Sequence, residues 1–424
     1  MEIPLSSPDI TELEKEKILE VLNTPHLSLG PKLREFEQKF AAYIGSKYAI
    51  AVNSGTSGLH LCMRALDTQE GDIVITTPFS FIASANCILF ERATHVFVDI
   101  DEKTLNIDPN RIEQKIRTLN KKNSKLKTIL PVHIFGRPCD MDDIMGLACP
   151  NGLKVIEDAC ESIGAEYLTI TSKVKTQNSK LPKTSYSQIG KNQETNGLQN
   201  TKKRKGSPCK KIWQKVGTFG DCGVFAFYPN KQITMGEGGI IATDNENINQ
   251  LCRSMRNQGR SENDDWLKHD RLGYNYRASD INCALGLAQL ERIDEILAKR
   301  ERVADLYNMR LKIIEEVVIP HFEKNKKISW FVYVVRLADK YSKEDRDLVL
   351  NKMKEKHIGC SNYFPPIHLQ PFYRNIFGYK KGDFPITEKV SERTIALPFY
   401  NNLKEDQINY VCENLIEIIR SLRS

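Results

Sequence analysis

Four groups of residues in this chain combine side chains suited to binding anions, holding cations and bonding to carbonyl carbons. The first is Asn53, Ser54, Gly55, Thr56, Ser57 and Gly58. Small residues let the backbone come close to a ligand, and free N–H groups at a helix start favour an anion, most often phosphate. A plain strand–turn–helix junction uses the same residue types with no ligand. The second group is Glu157, Asp158, Ala159, Cys160 and Glu161, after the apolar Val155 and Ile156. At the end of a strand, Asp158 can hold a cationic group such as a protonated pyridine nitrogen, and it can equally cap a helix. The third is Lys231, which follows the apolar Phe225, Ala226 and Phe227 and precedes Gly236, Gly238 and Gly239. A lysine in an apolar pocket gives up its proton more readily and can form a Schiff base, although most lysines are simply solvated. The fourth is Leu272, Gly273, Tyr274, Asn275, Tyr276 and Arg277, which reads either as a binding loop or as an ordinary turn. Singly, each has a plain structural explanation. Together and in this order, a phosphate cradle, an acid and a lysine are the three protein parts that pyridoxal 5'-phosphate needs.

Elements that could position these groups alternate along the first part of the chain. Apolar runs at 48–53, 73–76, 96–99, 128–133, 154–158, 223–228 and 239–243 read as strands, several of them continuous enough to be buried on both faces. Helical or polar segments at 58–66, 83–92 and 109–119 lie between them, the pattern of an α/β domain with a largely parallel sheet. In such sheets ligands gather at the carboxyl ends of the strands, where the first three groups fall. Residues 278–310 have helical periodicity and read as one long helix linking to a second domain. That domain is expected to contain a strand at 330–336, a helix at 343–356, a proline-rich loop at 363–371 and a last helix at 405–422. No internal repeat is visible.

Composition narrows the function classes. The chain has 424 residues, 40% hydrophobic and 27% charged, enough for two domains with buried cores. Its eleven cysteines form no C-x-x-C pair and are scattered through apolar stretches, which argues against a zinc ribbon or a thioredoxin site and for a reduced, cytoplasmic protein. No run of eighteen apolar residues exists to cross a membrane. The start of the chain lacks a basic region followed by an apolar one, so no signal peptide is expected. The net charge of +7 misleads: residues 168–215 carry eleven Lys and one Arg against Glu194 alone, so the rest of the chain is mildly acidic. A basic nucleic-acid-binding surface is therefore not expected. The 168–215 segment is rich in Lys, Ser, Thr, Asn and Gln, and its composition predicts a disordered, solvated loop.

The chain resembles the DegT/DnrJ/StrS-type sugar aminotransferases, pyridoxal-phosphate-dependent enzymes of fold type I. The resemblance covers nearly everything outside 168–215 and rests on residues 53–60, 77–86, 131–140, 155–165, 216–221 with 225–239, and 272–277. It implies a large domain, 1–292, with a mostly parallel seven-stranded sheet, and a smaller α+β C-terminal domain, 293–424. It implies that Lys231 bonds the cofactor and moves protons, and that Asp158 pairs with the ring nitrogen. Gly55, Thr56 and Ser57 match the phosphate site, Phe81 the aromatic residue stacked on the ring, and Glu161 a further residue beside the cofactor. Asn275 matches an amide that reaches the phosphate of the other subunit, which implies a homodimer with shared sites. Arg277 and His368 fall in stretches near the sugar nucleotide or the amino donor.

Two departures stand out. Many members have Ser where this chain has Ala226, so one phosphate contact is missing. Glu161 stands where Gln or His is common; perosamine synthase-like members also have Glu, which points to a GDP-linked 4-keto-6-deoxyhexose. Related dehydratases have His in place of the lysine, so Lys231 favours transamination. The activity implied is transfer of an amino group from L-glutamate to a nucleotide-linked keto sugar for a surface polysaccharide or O-antigen. A sugar dehydratase and a non-catalytic cofactor-binding sensor or scaffold are the alternatives.

Overall fold

Continuous apolar strands with no alternation need cover on both faces, and they build the centre of the molecule. The computed structural model describes residues 2–170, 210–260 and 268–422. The strands are β1 (Tyr48–Val52), β2 (Ile73–Thr76), β3 (Thr94–Phe97), β4 (Leu126–Ile129), β5 (Lys154–Asp158), β6 (Glu166–Ile170), β7 (Lys211–Lys215), β8 (Cys222–Ala226), β9 (Gly239–Thr243), β10 (Val317–Val318), β11 (Lys326–Lys327), β12 (Tyr333–Leu337) and β13 (Thr394–Leu397). Seven form the main sheet in the order β1-β9-β8-β5-β4-β2-β3. Only β9 runs against the others, antiparallel to both neighbours, so the sheet is mostly parallel as expected. All five residues of β9 are buried, as a strand covered on both faces requires.

The register of the strands sets the geometry of the site. Val52 pairs with Gly239, and Gly239 pairs in turn with Ala226. The ends of β1 and β8 are thus level on one edge of the sheet, and Asp158 ends β5 beside β8. Strand β4 stops at Ile129, short of the 128–133 run the sequence suggests, because Pro131 has no N–H to continue a ladder. Its carbonyl instead accepts the Asp158 N–H at 2.9 Å, and Val132 pairs with Asp158 as an isolated bridge.

Two expectations are corrected. The long helix over 278–310 is two helices, Asp280–Glu291 and Ile293–Leu311, broken at Arg292, whose φ of −99° and ψ of 8° leave the helical range. The guanidinium of Arg292 is drawn to Glu14 and Asp9, at 2.8 and 3.2 Å. Second, the flanks of the 168–215 segment are not loop. β6 and β7 pair antiparallel from Glu166–Lys215 to Ile170–Lys211, and β11 adds on the other side of β6. Bulk composition hid the local pattern Lys-Ile-Trp-Gln-Lys, whose β-branched and aromatic members suit a strand. Tyr167 anchors the ribbon against Phe219 at 5.9 Å, and Lys327 lies over the Trp213 ring at 4.5 Å. The rest of that expectation, residues 171–209, lies outside the described residues. The first residues meet the C-terminal part: Ile3 pairs with Ile358 and joins its core.

That C-terminal core forms around the antiparallel sheet β10-β12-β13 and the helix Glu405–Ser421. Tyr307 and Tyr333 stack there at 4.8 Å, both fully buried, with their hydroxyls bonded to Pro398 O and Asn308 Oδ1. Among the described residues no helix is long and apolar enough to cross a membrane.

Candidate active site

The edge shared by β1, β5 and β8 gathers the groups singled out in the sequence. After β1, Ser54 caps the helix Gly55–Ala65, its Oγ accepting the Ser57 N–H at 3.1 Å. The Gly58 N–H goes to Ser54 O, while Gly55 and Thr56, as the first two residues of the helix, have no intrahelical acceptor for theirs. Ser57 Oγ donates to Asn53 Oδ1 at 2.7 Å. Close approach makes this cradle: a Cβ on Gly55 would stand 2.7 Å from the Ala226 methyl and 2.9 Å from Cys160 Sγ. One on Gly239 would stand 2.6 Å from the Ser54 carbonyl. The missing serine hydroxyl at Ala226 is therefore missing from the cradle itself.

Asp158 is 5% exposed at the end of β5. Its Oδ2 accepts the Ser84 hydroxyl at 2.7 Å and its Oδ1 the Cys160 N–H at 3.2 Å. Ser84 lies on the helix Ala83–Leu89, one turn after Ser80, and the two hydroxyls are 2.8 Å apart. Two donors on one carboxylate fix its direction.

Lys231 sits in the turn after β8, its side chain 13% exposed. The Nζ lies 3.9 Å from the centroid of the Phe331 ring and 3.7 Å from Glu161 Oε1. An ammonium against an aromatic face is attracted by the ring quadrupole, and Glu161 supplies the countercharge. Burial pushes the Glu161 carboxyl above its usual range, against the pull of Lys231 and of the Phe135 N–H that donates to Oε2 at 2.8 Å. Asp158 adds to the upward push, so the two acids and the lysine share one electrostatic site.

The other expected residues divide. Phe81 is 61% exposed, and its backbone carbonyl accepts from Ser84 at 3.3 Å, beside the ligand of Asp158. Asn275 is exposed and its carbonyl accepts from Asn53 Nδ2 at 3.3 Å, so it borders the cradle of its own chain. Arg277 pairs with Val52 at the end of β1 and donates to Asn257 Oδ1 at 3.0 Å. His368 is not brought to a ligand-facing position. It is fully buried, its Nε2 is 2.9 Å from Glu388 Oε1, and the Phe384 ring packs on it at 4.8 Å. Burial lowers its pKa, so it stays a neutral core histidine.

His95 has the same character and gives a test. Its ring is 3% exposed among Phe97, Tyr373, Phe377 and Tyr379, and burial lowers its pKa from 6.5 to about 4. The unfolded chain takes up a proton below pH 6.5 that the folded chain refuses until about pH 4. Stability should therefore fall with pH across this window, by about 3 kcal/mol from this group. Urea titrations of the native protein and of His95→Phe should differ by about one proton in pH slope between those limits; equal slopes refute it.

The sequence missed Ser84, Phe331 and Phe135. Ser80 and Ser84 are spaced one helical turn apart, which was a visible signal. Phe331 and Phe135 carried none, because their contacts to Lys231 and Glu161 join distant segments.

This arrangement has the parts that pyridoxal 5'-phosphate needs. Free N–H groups at a helix start in a glycine-made cradle suit a dianionic phosphate, a carboxylate that accepts two hydrogen bonds suits a protonated ring nitrogen, and a shielded lysine suits a carbonyl carbon. The residues present fit the group, with one donor fewer at Ala226.

Known proteins resemble this chain over nearly its whole length. Residues 8–416 match the sequence profile described as the DegT/DnrJ/EryC1/StrS aminotransferase family. GDP-perosamine synthase of Escherichia coli O157:H7 is 33% identical, over 98% of this chain and 98% of that protein. The spore coat polysaccharide biosynthesis protein SpsC of Bacillus subtilis strain 168 is 32% identical, over 99% of this chain and 97% of that one. The solved structure of Helicobacter pylori PseC, an aminotransferase involved in the biosynthesis of pseudoaminic acid, superposes with a TM-score of 0.83 at 25% identity, covering 99% and 100% of the two chains.

Proposed function

Starting from the premise that this chain belongs to the DegT/DnrJ/EryC1/StrS aminotransferase family and is a pyridoxal-phosphate-dependent sugar aminotransferase, we propose the specific reaction it performs. It moves an amino group from L-glutamate to the ketone of a nucleotide-linked sugar, a 4-keto-6-deoxyhexose, for polysaccharide or O-antigen biosynthesis. The observation that carries this is the Lys231 Nζ, held between the Phe331 ring and Glu161 at the sheet edge where Asp158 ends β5.

When bound, the cofactor supplies an aldehyde carbon that carries the amino group between donor and acceptor, and a protonated ring that draws off an electron pair. This chain's residues do the rest. Lys231 would hold that carbon at rest and, once displaced by the donor's amine, would stand as a free amine placed to take the proton from the donor's Cα and give it up again. Asp158, oriented by Ser84, keeps the ring nitrogen charged. Gly55, Thr56 and Ser57 would hold the phosphate, and Phe81 would supply the ring against the pyridine. Asn275, whose backbone carbonyl meets Asn53 of its own chain, would turn its side-chain amide to the phosphate site of a second copy, and the working unit would be a homodimer. Arg277, bridged to Val52 at the end of β1, would meet the sugar nucleotide. Glu161, as in perosamine synthase-like relatives, supports a GDP-linked substrate. The cytoplasm is the expected compartment, and two domains meeting at residues 292 and 293 are the expected organisation.

Ala226 supports a second reading, a scaffold that binds the cofactor without catalysis. One experiment separates the two. The purified protein with pyridoxal phosphate should show a visible band that bleaches on addition of L-glutamate, releasing 2-oxoglutarate in equal amount. A band indifferent to glutamate would favour the scaffold; no band at all would refute the cofactor role of Lys231.

A further inference from the structure

Arg300 is a buried charge with no carboxylate partner among the described residues. It lies on the helix Ile293–Leu311 and is 3% exposed. Burial lowers its pKa to about 9, which still leaves it charged at neutral pH. A cation in such a place is costly unless its donors are used. Arg300 spends them on carbonyl oxygens. Nη2 donates to Lys231 O at 3.0 Å, and Nη1 to Phe331 O at 3.1 Å and Trp330 O at 3.3 Å. The guanidinium carbon lies 5.5 Å from the Phe399 ring, and Nε is buried without an acceptor. Two of the three acceptors thus belong to the lysine of the site and to the residue whose ring its ammonium faces.

We propose that Arg300 is a positioning residue for proton transfer. Its planar fork ties the backbone of Lys231 to that of Phe331, so the lysine and the ring that aims it move as one unit. The segments joined are far apart in sequence: the turn after β8, the strand approach at 330–331, and the helix between them. Only a guanidinium can do this, because a lysine at 300 would carry the charge on one point and could not span both carbonyls. The proposal rests on the reading of Lys231 as the group that bonds the cofactor and moves protons.

Arg300→Lys and Arg300→Met, with the native protein as reference, test it. Each is examined for thermal unfolding and far-UV circular dichroism, then loaded with pyridoxal phosphate. The readouts are the pH midpoint of the visible band and the glutamate dependence of its bleaching rate. With a misaligned lysine, the limiting rate for Arg300→Lys should fall about 10- to 100-fold, since small misplacements of a reacting group cost this much. The half-saturating glutamate concentration should barely move, and the band's pH midpoint should shift. If Arg300→Met fails to fold, Arg300→Lys decides. A folded variant with native limiting rate and native midpoint overturns the proposal. So does a rate loss that disappears once corrected for the folded fraction. If the native protein forms no band, the reading of Lys231 falls and this proposal falls with it. If the native band forms and bleaches while the variants match it, only the role of Arg300 is lost.

Discussion

Lys231→Ala should leave the protein folded and end turnover. The visible band should not form, and amino transfer should fall by at least about 10⁴-fold, because the variant loses both the covalent attachment and the acid–base group. The fold should tolerate the change. The Lys231 side chain sits in a turn rather than in a strand, and its backbone bonds, N–H to Tyr228 O and O from Arg300, do not depend on it. What the variant leaves behind is Glu161, whose buried carboxyl loses its countercharge, so that burial pushes its pKa further up. Absorption spectra and single-turnover transfer measure the effect; a variant that retains turnover and a visible band would refute the assignment of Lys231.

Asp158→Asn should give a different signature. The amide can still accept from the Cys160 N–H and can still meet Ser84 Oγ, so the geometry around the end of β5 survives. The negative charge does not. Without it the ring nitrogen loses the partner that keeps it protonated, and the electron pair released at Cα has nowhere favourable to go. The band should form with Lys231 intact, while glutamate-driven bleaching slows by about 10²–10³-fold, as when one preorganised electrostatic partner is removed. Unchanged bleaching in a folded, cofactor-loaded Asp158→Asn would show that the acid only caps the turn. The two variants together separate bonding of the cofactor from its activation.

Much of this site could be read along the chain because its parts are local. A cradle is a strand end followed by small residues and a helix start, and it survives as a contiguous string from Asn53 to Gly58. Asp158 and Lys231 each follow an apolar run, so the topology of a parallel sheet puts both at strand ends near one edge. The fold class followed from the same runs, since strands covered on both faces need no alternation. Membership of the aminotransferase family followed from the strings themselves.

The tertiary structure alone decided which side chains meet across long separations. Ser84 reaches Asp158, Phe331 lies against Lys231, and Arg300 ties Lys231 to Phe331, over separations of 74, 100 and 31 to 69 residues. His368, though its stretch resembles a substrate-binding one, turns inward to Glu388 because the aromatic cluster around it leaves no open face. The break at Arg292 and the pairing of β6 with β7 also depend on distant partners, Glu14 and Asp9 for the first and the β11 strand for the second. The physical reason is the same in each case. Periodicity, turn residues and motif spacing are short-range properties carried by neighbours in sequence. Burial, countercharges and ring contacts are fixed only when segments far apart in the chain are packed together, and sequence order does not encode which of many similar side chains will be opposite.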